Sequence, residues 1–151
     1  MKNTEINIRD PFVLVEDGTY YMYGTRAATC WGAADGFDCY VSKDMEDWDG
    51  PFEVFHKPED FWADRNCWAP EVHKYRGFYY MFATFKDSSV HGGTAILKSE
   101  SPLGPFVMYS DRQITPKAGS VSTAHSMCHP TGRRIWCLSM SGCRYRMAVS
   151  V

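Results

Sequence analysis

The sequence has no run of basic residues and no apolar run approaching the roughly 18 residues that a membrane span requires. Its 16 Lys and Arg are set against 18 Asp and Glu, which gives a formal net charge of -2 and a pI near 6.2. Such a chain has no positive field that could attract a phosphate backbone. We therefore expect neither nucleic acid nor a membrane among its partners.

The six cysteines show none of the spacings that are typical of metal sites or redox pairs. No two of them form a Cys-x-x-Cys pair, and none is spaced with histidine as in a zinc finger. Residues 1–5 contain no hydrophobic signal segment, which favours a cytoplasmic chain. We expect free and mostly buried thiols at Cys30, Cys39, Cys67, Cys128, Cys137 and Cys143.

Aromatic residues are abundant, with nine Tyr, nine Phe and five Trp. Because these residues fit a pleated sheet better than a helix, they favour an all-β chain. A length of 151 residues is that of one domain with a core of its own.

An internal repeat organises most of the chain. Segment 11–25 aligns with segment 70–84, an offset of 59 residues, and both have a glycine between two strand-like runs, which is typical of a hairpin. The identical pairs are Pro11/Pro70, Val13/Val72, Gly18/Gly77, Tyr20/Tyr79, Tyr21/Tyr80, Met22/Met81 and Thr25/Thr84.

Each hairpin is followed by two further strand-like segments, 37–42 and 50–55 in the first copy and 93–99 and 104–108 in the second. Four-stranded units repeated at this period are typical of β-propeller blades. The sequence therefore predicts two blades, at 6–60 and 61–117. A duplicated half of a β-sandwich also fits the periodicity.

Asp10 stands before the first predicted strand and directly before Pro11. A residue before proline is disfavoured in the helical region, so we expect its carboxylate to point away from the strand end. The innermost strand of a propeller blade starts at the central channel, where Asp10 would meet residues 68–71. An Asp-Pro pair can also be a simple turn with a solvated carboxylate.

Two motifs resemble glycoside hydrolase family 43: residues 8–11 with 20–25, and residues 67–73 with 79–82. The resemblance covers about residues 6–117. It implies a partial β-propeller, with about two of the family's five blades. It also implies an inverting arabinofuranosidase or xylosidase that acts on oligosaccharides or polysaccharides of plant origin.

By this resemblance, Asp10 is the general base of a two-carboxylate mechanism. Trp68 matches a residue that stacks on the sugar, although it could instead pack between blades. Glu71 matches a substrate-binding position where Asp is commoner in the family, and it could instead hydrogen-bond only to nearby backbone. His73 is expected to be structural. We expect no cofactor or metal ion to be bound by these residues. Whether the central channel binds a metal ion is left open.

The segment 118–151 departs from this pattern, because all acidic residues lie within the first 111 residues. We expect it to be irregular. A shifted reading frame takes the third base of each codon together with the first two bases of the following codon. In this frame, codons 118–128 permit Trp-Glu-Cys-Leu-Asp-Gly-Thr-Leu-Tyr-Val, which resembles the blade with the family's pKa-tuning Asp. Codons 136–146 permit a string with His-Glu-Trp-Val-Gln, which resembles a segment with the acid Glu in some members.

These strings predict that one nucleotide was lost near codons 117 and 118, so that residues 118–151 are out of frame. Without the acid and the tuning carboxylate, we expect the chain to be inactive alone. Two other functions stay open. The chain could be a non-catalytic sugar-binding module, or a propeller fragment that self-associates through an open blade face.

Overall fold

The computed structural model describes residues 1–33, 35–88, 92–115, 121–128, 134–140 and 143–147. In these ranges a short 3-10 helix, Asn3–Glu5, precedes the strands, and no helix is long and apolar enough to cross a bilayer. The strands are β1 (Ile8–Glu16), β2 (Thr19–Arg26), β3 (Gly36–Ser42), β4 (Trp48–His56), β5 (Arg65–Tyr75), β6 (Phe78–Lys86), β7 (Gly92–Ser99), β8 (Val107–Met108), β9 (Val121–Cys128), β10 (Arg134–Met140) and β11 (Cys143–Met147).

The first eight strands form two four-stranded antiparallel sheets, in the orders β1-β2-β3-β4 and β5-β6-β7-β8. This arrangement confirms the predicted all-β partial propeller. The two hairpin turns repeat each other, since Asp17 and Gly18 have φ of 47° and 68° and Arg76 and Gly77 have φ of 49° and 83°. Two successive positive φ angles match the right-handed twist of the flanking strands.

Three features differ from the sequence prediction. Asp10 lies inside β1, which starts two residues earlier. The predicted strand 104–108 is reduced to β8, and the Phe106 amide instead donates a 2.8 Å hydrogen bond to the Val54 carbonyl of the first sheet. In the tail, where we expected irregular structure, β9–β11 form a three-stranded antiparallel sheet. The Val, Thr, Ile, Trp and Tyr residues there favour pleated structure despite their weak alternation.

The main core lies between the two four-stranded sheets. Phe37 and Phe55 of the first sheet lie 5.8 and 5.9 Å from Phe85 of the second, measured between ring centroids. All three side chains are at most 2% exposed. The two blades therefore pack face to face, and this packing brings the start of β1 beside the start of β5.

Three of the predicted free thiols are confirmed, since Cys30, Cys39 and Cys67 are buried and form no disulfide. Burial raises the pKa of both Cys39 and Cys67 to about 12, which leaves these thiols protonated and unreactive at neutral pH. The side chains of Cys128, Cys137 and Cys143 lie outside the described part of the chain.

A second link between the sheets is polar. At the end of β1, the carboxylate of Glu16 accepts hydrogen bonds from the Lys74 ammonium and the Tyr79 hydroxyl of the second sheet. Burial alone would raise the pKa of Glu16, yet these two hydrogen bonds lower it below its ordinary value. Glu16 is therefore ionised at neutral pH and holds the two hairpins together.

We predict that Glu16→Gln lowers the free energy of unfolding by about 1 kcal/mol near neutral pH, because the amide cannot pair with the Lys74 ammonium. Since folding depresses the pKa of Glu16, its contribution is present above the ordinary value of 4.5 and is lost as the pH falls below it. Urea denaturation across this range should therefore show the two proteins converging in acid. A constant difference at all pH values, or an equal effect of Glu59→Gln at an exposed loop position, would contradict this assignment.

Candidate functional site

Two equivalent β-bulges shape the site. The pairing of β1 with β2 shifts register between Arg9 and Phe12, and the pairing of β5 with β6 shifts between Trp68 and Glu71. In each bulge a residue with positive φ precedes a proline: Asp10 at 49° and Ala69 at 46°. Because proline cannot donate to the ladder, pairing is interrupted there, and a bulge redirects the neighbouring side chains.

Thr25 of β2 connects the two bulges. Its side-chain oxygen accepts a 2.8 Å hydrogen bond from the Ala69 amide, and its hydroxyl donates to Asp10 Oδ2 at 3.3 Å. Thr25 is only 1% exposed, so few other groups can compete for these bonds. The Asp10 carboxylate is therefore oriented by a hydroxyl that is itself fixed by the second blade.

The preceding residue, Gly24, allows β1 to approach β2 closely at this point. A Cβ atom on Gly24 would lie 2.8 Å from Ile8 Cδ1 and 3.0 Å from the Arg9 carbonyl oxygen. Either contact would displace the strand that carries Asp10.

A pocket of about 410 Å³ lies over the two bulges. The structure brings all three site residues predicted from the sequence, Asp10, Trp68 and Glu71, to this pocket. Its lining comes from the two bulges, from Thr25 and from the loop after β2: Arg9, Asp10, Pro11, Phe12, Thr25, Cys30, Trp31, Trp68, Ala69, Pro70 and Glu71.

The two carboxylates of the pocket have different surroundings. Asp10 is exposed to solvent, whereas the side chain of Glu71 is 12% exposed and lies 3.5 Å from His73 Nε2, measured from Oε2. His73 packs against Phe12 and Phe82, with ring centroids 5.2 and 6.2 Å away. His73 is not among the lining residues, and its structural role stays a prediction.

Trp68 is fixed by its indole N–H, which donates to the Cys30 carbonyl. Its ring meets Trp31 edge to face, with centroids 5.4 Å apart and planes at 75°. Sequence reasoning missed Thr25, Trp31 and Arg9 as site residues. The identical pair Thr25/Thr84 in the repeat could have pointed to Thr25. Trp31 lies in a loop, where no periodic pattern points to it.

Among the described residues, no group of three or more His, Cys, Asp and Glu side chains is arranged to hold a metal ion. What the pocket offers is one oriented and exposed carboxylate, one largely buried carboxylate and two indole rings. This combination suits a ligand with several hydroxyl groups and apolar C–H faces.

We predict that Thr25→Val, which keeps the shape but removes the hydroxyl, destabilises the fold by about 1–3 kcal/mol. The Ala69 amide would lose its hydrogen-bond acceptor in a half-buried position. Thr25→Ser keeps the hydroxyl and should lose clearly less, and urea denaturation measures both. Equal stability of the two variants would show that the hydroxyl bridge contributes nothing.

The family model described as glycosyl hydrolases family 43 matches residues 4–128. A search of curated proteins finds no match.

Among solved structures, an endo-arabinase from Bacteroides thetaiotaomicron is 31% identical, with a TM-score of 0.79 over 91% of this chain and 48% of its own. A thermostable family-43 glycoside hydrolase is 28% identical, with a TM-score of 0.75 over 87% of this chain and 41% of its own. An endo-1,4-beta-xylanase from Bacteroides thetaiotaomicron, at 22% identity, shares the fold with a TM-score of 0.69, over 87% of this chain and 42% of its own.

The chain therefore spans less than half the length of these three structures. The family match, which covers most of the chain, agrees with the two repeated blades and with the motifs around Asp10 and Trp68. The chain belongs to family 43 of the glycosyl hydrolases.

Proposed function

We propose that the chain forms part of a site that hydrolyses arabinosyl or xylosyl linkages of plant glycans, with Asp10 as the general base. The observation that carries this proposal is the Asp10 carboxylate, held by Thr25 in a pocket that also contains Trp68 and Glu71. Family membership supports the reaction, and the likeness to an endo-arabinase supports an arabinose-containing substrate.

In an inverting mechanism one carboxylate activates a water molecule while an acid on the other side of the sugar protonates the leaving oxygen. The hydrogen bond from Thr25 occupies Asp10 Oδ2, so that Oδ1 can accept the proton of the attacking water. Trp68 would stack on an apolar sugar face. The Glu71 carboxylate would accept hydrogen bonds from sugar hydroxyls and fix the sugar in the pocket.

We further propose that this chain alone has little or no turnover. The general acid and the pKa-tuning carboxylate of the family have no match in residues 1–117. General acid catalysis is commonly worth about 10² to 10⁴ in rate. Asp10 is also exposed, so water weakens the electrostatic interactions of its carboxylate, which would be stronger in a closed site.

Hydrolysis of arabinobiose and xylobiose, whose leaving oxygens must be protonated to depart, tests this proposal. The rates with the unmodified chain should equal those with Asp10→Asn, because a base without an acid partner accelerates the reaction little. Turnover that disappears in Asp10→Asn would contradict the proposed inactivity and would support the role of Asp10 at the same time.

A sugar-binding module is the second candidate function, and the paired indoles of Trp31 and Trp68 favour it. A module without catalysis would bind an oligosaccharide equally well with Asp10→Asn. Loss of binding in Trp68→Ala, together with unchanged binding in Asp10→Asn, would favour the module over the enzyme fragment.

We also propose that residues 118–151 are translated out of frame after the loss of one nucleotide near codons 117 and 118. Resequencing codons 115 to 120 tests the sequence itself. Inserting one nucleotide there should restore the acidic strings and raise turnover about 10² to 10⁴ fold. An intact gene whose relatives share this tail, or an inserted frame with no gain in rate, would overturn the proposal.

A further inference from the structure

Trp31 is an exposed aromatic side chain beside the pocket. Tryptophan is usually well buried, yet Trp31 is 71% exposed and lines the pocket next to Asp10 and Trp68. Leaving this much indole in water is unfavourable, and a ligand that covered the ring would recover that free energy. The proposed base and Trp68 do not explain why an exposed indole stands at this position.

The loop that carries Trp31 is held firmly in place. The carbonyl of Cys30 accepts hydrogen bonds from Asn66 Nδ2, at 2.9 Å, and from the Trp68 indole N–H. The backbone N–H of Asn66 donates a hydrogen bond to the Gly32 carbonyl at 3.2 Å. Both neighbours of Trp31 are thus bound to β5, so that the position of the ring is fixed without its being buried.

Arg9 adds polar groups beside this ring. Its guanidinium carbon lies 5.4 Å from the centre of the Trp31 ring, within the range of a cation–π contact. Arg9 is exposed, and a guanidinium has five N–H donors. An apolar surface bordered by such donors fits a sugar, which presents C–H groups on one side and hydroxyl oxygens around its rim.

The geometry of the two indoles bears on how many sugars they contact. Their planes are inclined at 75° and their centroids are 5.4 Å apart. A single sugar ring that stacks flat on Trp68 cannot also stack flat on Trp31. A neighbouring unit of the same oligosaccharide, which has its own ring plane, can do so.

We propose that Trp31, with Arg9, forms a second sugar subsite, so that the pocket selects an oligosaccharide over a single sugar. This inference rests on the proposed glycan site at Asp10 and Trp68. Trp31 acts by holding the sugar unit next to the one that stacks on Trp68, and it is a specificity-determining residue. It takes no part in proton transfer.

Isothermal titration calorimetry of the full chain with arabinose, xylose, arabinotriose and xylotriose tests the subsite. The unmodified chain should bind one of the trisaccharides about tenfold more tightly than the matching single sugar. Trp31→Ala should remove this difference and leave the affinity for the single sugar unchanged. Trp31→Phe, which keeps an aromatic face, should restore most of it.

Phe52→Ala is the matched control, because Phe52 is 42% exposed and lies outside the pocket lining. It should bind both sugars as the unmodified chain does, and thermal melting should show that all variants are folded. A trisaccharide affinity unchanged in Trp31→Ala, or an equal loss for both sugar lengths, would overturn the second subsite and leave the proposed function standing. If the unmodified chain binds none of the four sugars, the proposed site fails, and this inference fails with it.

Discussion

The hydroxyl of Thr25 is the contact on which the candidate site depends. It accepts from the Ala69 amide in one blade and donates to the Asp10 carboxylate in the other. Both partners sit at bulges, in a backbone conformation that side chains other than glycine seldom adopt. Such a conformation persists only where surrounding contacts hold it, and a buried hydroxyl between the two bulges supplies one.

The rest of the fold keeps these two bulges side by side. Phe37, Phe55 and Phe85 fill the interface between the sheets, and burial of their rings stabilises the face-to-face packing. Glu16 closes the other end of β1 against the second hairpin. The site therefore depends on the packing of the two blades, because the strands that carry its residues, β1, β2 and β5, come from two different sheets.

Much of this arrangement could be predicted from the sequence, because the repeat marks it twice. Asp10-Pro11 and Ala69-Pro70 occupy equivalent positions, and the two hairpin glycines fix equivalent turns. The convergence of Asp10, Trp68 and Glu71 on one pocket follows from that symmetry and from the family motifs. The roles assigned to these three residues remain proposals.

Other features depend on contacts that no local pattern records. Trp31 belongs to a loop whose position is set by Asn66, far away in the sequence. The segment after Gly104 is not a full strand, because Phe106 bonds to the first blade instead. The sheet β9–β11 forms from segments in which apolar and polar residues alternate only weakly. Pairing between these strands therefore outweighs the weak pattern.

Asp10, held by Thr25, is proposed to be a general base whose only missing counterpart is an acid. A leaving group of low pKa departs without protonation, so that it bypasses the need for an acid. The direct measurement compares hydrolysis of dinitrophenyl arabinofuranoside by the unmodified chain and by Asp10→Asn. The unmodified chain should hydrolyse this activated substrate measurably and Asp10→Asn should not, whereas equal rates for the two proteins would show that Asp10 is not the base.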